Sequence, residues 1–198
     1  MSCCAVCREP IVFEGGKWVR LARGEHIDDP RGDVHHRHAP EQVGPFAELS
    51  PPYSTIVADP PWHYTQGGPT TGFAPLRPPP YSMMATEDIA ALPVGDLAAP
   101  DAHLWLWTTN AYLRAAFDIA AGWGFRHSQT LTWCKPPRGI GPGGAFSNTT
   151  EFVLFCRRGS LAPLERIDTT WWALPRGPHS VKPAAFGDLV ERVSPGPH

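Results

Sequence analysis

Thr55-Ile56-Val57-Ala58-Asp59-Pro60-Pro61-Trp62 changes within eight residues from an apolar run to a rigid, polar one. Its first four residues are typical of a buried β-strand. The strand must end at Asp59, because the two prolines lack amide donors and restrict φ. The segment therefore predicts a carboxylate, free backbone carbonyls and an indole at the carboxyl end of a strand, where open α/β sheets bind ligands. The alternative is a strand followed by an ordinary proline-rich turn.

The polar groups of this segment suit an exocyclic amino group on a planar base. The Asp59 carboxylate and the Pro60 carbonyl can accept both amino hydrogens, while Trp62 or Tyr64 offers a face for stacking. The candidate catalytic residues are therefore Asp59, Pro60, Pro61 and Trp62.

Length and composition predict one full-sized domain with a small appendage. Of 198 residues 42% are hydrophobic, including eight Trp and nine Phe, which is enough for a packed core. The formal charge of −2 gives no support for a generally basic nucleic-acid binder, yet residues 131–198 carry 8 Lys and Arg against 5 Asp and Glu. We therefore expect any phosphate-binding surface in this later part. Because no secretory leader and no membrane-spanning apolar run occurs, we expect a soluble, cytoplasmic protein without a membrane partner.

Residues 1–50 have the pattern of a separate small module. Cys4-x-x-Cys7 opens it, residues 11–19 predict a β-hairpin, and clustered histidines follow. Two thiolates and two imidazoles would complete a tetrahedral zinc site in a zinc-ribbon-like appendage that is too small to fold alone. The favoured ligands are Cys4, Cys7, His36 and His38, with Cys3, His26 and His35 as substitutes. The alternative is that the histidines are solvated and bind no metal.

Strands and helices alternate from residue 51 onward. The apolar pattern predicts strands at 55–58, 103–109, 130–133 and 151–156, and helices after Thr86, at 112–121 and at 183–193. Thr86 is the expected N-cap of the first helix, and Asn110 can cap the second. This alternation predicts a mostly parallel, three-layer α/β sheet.

Several short segments occur in an order that resembles a known family. They are ADPPW-x-Y at 58–64, HLWLWTTN at 103–110, TWCKP at 132–136, the glutamate at 151 and HS-x-KP at 179–183. With these segments the chain resembles the adenine-N6 methyltransferases that carry a DPPW motif. The resemblance runs from about residue 54 to 195 and leaves residues 1–50 outside.

The resemblance implies a Rossmann-like methyltransferase fold in which the motifs have a circularly permuted order. It implies S-adenosylmethionine as cofactor and methyl transfer to the N6 amino group of adenine in nucleic acid. We expect DNA rather than RNA, in a bacterial or phage setting. The candidate cofactor-binding residues are Asp59, Lys182 and His179. The candidate substrate-binding residues are Tyr64, Asn110, Lys135 and Glu151.

The end of the chain departs from the family pattern. Family members continue after the last helix into an apolar strand and a Trp-rich segment that contact the cofactor, and the sequence ends at His198 before them. We therefore expect residues 51–198 to be a methyltransferase-like domain that lacks its last cofactor-binding strand. Two alternatives stay open. One is a catalytically impaired module that binds nucleic acid or a partner protein, and the other is methylation of a cytosine amino group.

Overall fold

The computed structural model describes residues 52–63, 82–136, 145–175 and 182–196, together with the backbone of three short strands before them. The described strands are β1 Ser2–Cys3, β2 Pro10–Glu14, β3 Lys17–Arg20, β4 Tyr53–Ala58, β5 Ala98–Thr108, β6 Arg126–Cys134, β7 Thr150–Arg158 and β8 Trp171–Ala173. The described helices are α1 Thr86–Ala90, α2 Val94–Leu97, α3 Leu113–Gly122 and α4 Ala184–Val193. Within these ranges no helix is long and apolar enough to cross a bilayer.

The predicted strands and helices are present, but the predicted helix caps were wrong. Ala85 occupies the N-cap of α1, and its carbonyl already accepts the Ile89 amide at 3.0 Å, which makes Thr86 the first helical residue. Tyr112 occupies the N-cap of α3 without a side-chain cap. The Tyr112 amide closes a turn onto the Thr109 carbonyl at 3.0 Å, and this turn separates Asn110 from the helix.

The sheet is mixed: most strands after residue 52 run in one direction, as predicted, but one central strand runs against them. Its strand order is β1-β2-β4-β5-β7-β6-β8, with β3 pairing β2. β4, β5, β6 and β8 run in one direction, but β7 is antiparallel to both of its neighbours, β5 and β6. A parallel pair of β6 and β7 would need a crossover, usually a helix, whereas the intervening sequence is rich in Gly and Pro. The two strands therefore pair directly as an antiparallel neighbour pair.

The buried core has two parts, one on each face of the sheet, and this confirms the three-layer arrangement. Successive residues of β5 alternate between them. Leu104 and Leu106 pack in the cluster that contains residues of α1 and α3. Trp105 and Trp107 pack in the other cluster, with Phe186 of α4. All four β5 side chains are at most 1% exposed, so the carboxyl half of β5 is buried on both faces of the sheet.

The N-terminal hairpin is present as the antiparallel pair β2 and β3. One residue pair, Phe13 with Ala58, joins β2 to β4 in parallel. The predicted zinc ligands Cys4, Cys7, His36 and His38 lie outside the described residues, as do His26 and His35, and nothing is described of the Cys3 side chain. The zinc site and the permuted order of motifs therefore stay predictions.

Candidate active site

Asp59 lies at the carboxyl edge of the sheet, as its sequence predicts. Strand β4 ends at Ala58, which is paired with Leu106 of the neighbouring strand β5. The Asp59 side chain is only 15% exposed, and its Oδ2 atom is 2.8 Å from the Lys182 ammonium. Lys182 comes just before α4 in sequence, so the start of this helix brings it to the end of β4. The structure thus joins two predicted site residues that are far apart in the chain.

The backbone carbonyls that follow Asp59 are not free, which corrects the expectation from the proline pair. The Pro60 carbonyl accepts the Trp62 amide at 2.9 Å, and the Pro61 carbonyl accepts the Met84 amide at 2.8 Å. The prolines have no amide to donate, so these two bonds to their carbonyls are the backbone hydrogen bonds that hold the turn in place. A carbonyl oxygen has two lone pairs, so the Pro60 carbonyl can still accept one further hydrogen.

Trp62 is buried and hydrogen-bonded, so in this structure its ring is not the open stacking face that the sequence suggested. Its side chain is 4% exposed, and its Nε1–H donates to the Trp107 carbonyl at 3.2 Å. One face of the indole stacks on Tyr112, with ring centroids 5.0 Å apart and planes inclined by 19°. The ring therefore anchors the turn after Asp59 to β5 and to the start of α3. Tyr64, the other candidate for stacking, lies outside the described residues.

Lys135 and Glu151 extend the ion pair of Asp59 and Lys182 into a row of four alternating charges. The Lys135 ammonium is 2.5 Å from Glu151 Oε1, and the Lys182 ammonium is 3.5 Å from Glu151 Oε2. We call the row Lys135–Glu151–Lys182–Asp59 the charge chain. Aromatic rings lie beneath both ammonium groups. Lys182 is 4.9 Å from the centroid of Trp107, and Lys135 is 5.1 Å from that of Trp133.

Burial and neighbouring charges act in opposite directions on the two carboxylates. Burial raises the pKa of Asp59 above its usual value, and the nearby Lys182 charge only partly offsets this. Burial also acts to raise the pKa of Glu151, but the charges and hydrogen bonds of Lys182 and Lys135 outweigh it, so this pKa is lowered. Asp59 is therefore the carboxylate of the pair that binds a proton more readily.

Of the remaining candidate site residues, one lies at the edge of the sheet and one lies outside the described residues. Asn110 is exposed in the turn after β5. His179 lies outside the described residues. Sequence reasoning missed Trp107 as a site residue, although its ring lies under Lys182. The available signal was its place in an apolar strand that ends at the same edge as Asp59.

Comparisons with known proteins show the family of the chain. Residues 53–198 match the model of the MT-A70 family. The chain belongs to this family of adenine methyltransferases and is an enzyme of the S-adenosylmethionine-dependent methyltransferase class. It is similar to the type II methyltransferase M.MunI of a Mycoplasma species, with 26% identity in a match that covers 78% of this chain and 75% of the relative.

Proposed function

We propose that the chain transfers a methyl group to the N6 amino group of adenine in nucleic acid. The observation that carries the proposal is the buried Asp59 carboxylate, which lies one residue beyond β4 with Lys182 on one of its oxygens. Because Lys182 contacts Oδ2, Oδ1 is the atom we assign to the amino group. The Pro60 carbonyl is next to it in sequence and has one lone pair to spare. The Mycoplasma relative supports a bacterial setting, in which we expect DNA rather than RNA.

The residues present fit the cofactor of the family. S-adenosylmethionine carries a cationic sulfonium and a zwitterionic amino-acid part, and the site offers both a carboxylate and an ammonium group. Asp59 and Lys182 would hold it from this side of the site, with His179 as the further candidate. When bound, the cofactor supplies an electrophilic methyl group.

Asp59 would act by orientation, by charge and by taking a proton. An aromatic amine is a weak nucleophile, and its nitrogen becomes positive as it gains a fourth bond. A carboxylate that accepts a hydrogen from this nitrogen stabilises the transition state more than the ground state. The methylated nitrogen then has one proton too many, and Asp59, whose pKa is raised by burial, is suited to accept it. No covalent intermediate with the protein is needed.

The buried position of the carboxylate has a consequence for the substrate. An amino group within a base stack cannot reach Asp59, so a duplex substrate would have to extrude the target base, as enzymes that modify bases do. The excess of positive charge in residues 131–198 supports phosphate contacts on this half of the chain.

The test is an assay of the full chain with radiolabelled S-adenosylmethionine and oligonucleotides of DNA or RNA. We expect the label in N6-methyladenine after digestion and chromatography, with DNA the better substrate. Asp59→Asn should lower turnover about a hundredfold or more, because it removes charge that stabilises the transition state. Cofactor affinity should fall much less.

The matched control is Arg192→Met, which breaks an ion pair with Glu165 between side chains that are 56% and 44% exposed. It should leave turnover unchanged. Label in cytosine, or turnover retained by Asp59→Asn, would contradict the proposal. Nucleic-acid binding without any methyl transfer would support the impaired binding module instead.

A further inference from the structure

Lys135 was a candidate substrate contact, and the structure assigns it a different role. We propose that Lys135 is a positioning residue, which engages Glu151 so that Lys182 stays on Asp59. This inference rests on the proposed function, because it concerns how Asp59 is kept ready for the amino group. Lys135 itself would touch neither the substrate nor the cofactor.

The position of the Lys135 side chain is the first observation. Trp133 and Glu151 are direct partners across the antiparallel pair β6 and β7, so their side chains share one face of the sheet. Lys135 is two residues beyond Trp133 and turns back over its ring, 5.1 Å from the centroid. Its side chain is 11% exposed, and its ammonium is 2.5 Å from Glu151. It therefore points into the site and is poorly placed to contact a phosphate from solvent.

The two distances at Lys182 are the second observation. This single ammonium lies between two carboxylates, 2.8 Å from Asp59 and 3.5 Å from Glu151. Glu151 gives its closer contact to Lys135, through its other oxygen. Because the two lysines share Glu151, Lys182 is left with Asp59 as its closer partner. Removal of Lys135 would let Lys182 move towards Glu151 and leave Asp59.

The charge balance of the charge chain also predicts that Asp59 depends on Lys135. The charged groups that the described residues bring to Glu151 come from three other elements: Lys135 follows β6, Lys182 precedes α4 and Asp59 follows β4. Strand β5 contributes the neutral ring of Trp107. When all four groups are ionised, the charge chain is neutral. Without Lys135 it carries one excess negative charge, so a carboxylate binds a proton more readily, and buried Asp59 is the one predisposed to do so.

The experiment compares Lys135→Met, Lys135→Arg and the control Arg192→Met in the full chain, over a range of pH. Lys135→Met should lower kcat at neutral pH by up to about a hundredfold, because the catalytic group is misplaced. It should also move the acidic limb of the pH profile to higher pH. KM for the nucleic acid and its salt dependence should not change. Lys135→Arg should restore most of the activity. A raised KM with a smaller salt slope and a normal pH profile would identify a phosphate contact and overturn the proposal.

A double-mutant cycle with Glu151→Gln tests whether Lys135 acts through Glu151. In the Glu151→Gln background, Lys135→Met should cause little further loss, since its intermediary is already absent. Full additivity of the two losses would overturn the proposal.

A measurement that does not depend on methyl transfer distinguishes this proposal from the proposed function. The pKa of the Asp59 carboxyl can be followed by carbon NMR in the free protein, with Asp59→Asn for assignment. In Lys135→Met this pKa should rise, and in Lys135→Arg it should stay near that of the wild type. An unchanged pKa in Lys135→Met overturns the positioning role even if the enzyme methylates adenine. A raised pKa supports it even if no methyl transfer is found.

Discussion

Two polar clusters differ in how their groups are paired: one lies at the carboxyl end of β4, and the other lies further back along β4 and β5. The charge chain at the carboxyl edge consists of ionisable groups whose side chains are 11% to 21% exposed. The second cluster, four residues back along β4, consists of Thr55, His103, Trp105 and Ser194, all at most 1% exposed. We call it the neutral network.

The neutral network is closed by hydrogen bonds between neutral groups. His103 Nε2 is 3.2 Å from the Leu161 carbonyl, which can only accept, so this nitrogen carries the proton. Nδ1 then accepts from the Ser194 hydroxyl at 2.9 Å, and Ser194 Oγ accepts the Trp105 Nε1–H at 2.9 Å. Thr55 donates to the Pro195 carbonyl at 2.9 Å. The network joins the end of α4 to the sheet and satisfies its groups without a net charge.

From this difference we expect the neutral network to stabilise the fold and the charge chain to carry out the chemistry. A fully paired neutral network gains from low dielectric surroundings and leaves no atom available for a ligand. The charge chain keeps charged groups partly desolvated, which costs stability but strengthens their interaction with a substrate. Mutations in the two clusters should therefore separate loss of folding from loss of turnover.

The largest expected effect on stability is that of Ser194→Ala. It leaves His103 Nδ1 and Trp105 Nε1 buried without this partner, at a cost of about 2–4 kcal/mol for the two groups. Turnover per folded molecule should stay within about twofold, since the hydroxyl follows the end of α4 whereas Lys182 precedes its start. Urea unfolding measures the first quantity and an assay at matched folded fraction the second.

The control is Ser160→Ala, which removes an exposed hydroxyl bonded to Asp101 at 3.0 Å and should cost much less. If Ser194→Ala and Ser160→Ala lost equal free energy of unfolding, the neutral network would not have the stabilising role that we assign to it.

The next largest effect is a loss of stability at acidic pH, which we expect His103 to cause. Burial lowers the pKa of this histidine, so the folded state binds its proton at lower pH than the unfolded state does. Stability is then fully present above the unfolded pKa of about 6.5 and is lost as pH falls towards the folded pKa, with a slope of at most about 1.4 kcal/mol per pH unit. His103→Gln should be less stable at neutral pH but should flatten this slope. The free energy of unfolding as a function of pH measures both.

His127 provides the matched control for this prediction, because its contact with Thr130 is exposed. A slope that is the same in the wild type and in His103→Gln would mean that other groups cause the acid sensitivity.

The smallest effect compares two threonines, each replaced by valine of nearly the same shape. Thr55→Val removes a paired hydroxyl and should destabilise by about 1 kcal/mol. Thr108 is 2% exposed at the end of β5, and its Oγ1 atom has no hydrogen-bond partner among the described residues. Thr108→Val should therefore be neutral or stabilise by up to about 1 kcal/mol, with turnover unchanged. Thermal unfolding of the two variants shows whether each is more or less stable than the wild type. A clear loss of stability in Thr108→Val would indicate a bound water.

Prediction from sequence succeeded where the signal is local. The end of β4 at Ala58 and the helix after Pro183 were expected within one or two residues, because apolar periodicity and proline chemistry act over a few positions. The caps at Thr86 and Asn110 were wrong, since the entry of each helix depends on how the chain arrives from elsewhere. The burial of Trp62 was also missed, because its partners Trp107 and Tyr112 belong to other elements.

Local residue chemistry and the order of the motifs were enough to predict the α/β class, the family and the position of Asp59 at a strand end. Tertiary structure alone decided which groups meet. Lys135 reaches Glu151 because of the register of β6 and β7, and Lys182 reaches Asp59 because α4 starts at the carboxyl edge. Ser194 meets His103 across 91 residues in the same way. The physical reason is that an ion pair or a buried hydrogen bond depends on distances of a few ångströms between distant segments, and only packing sets those distances.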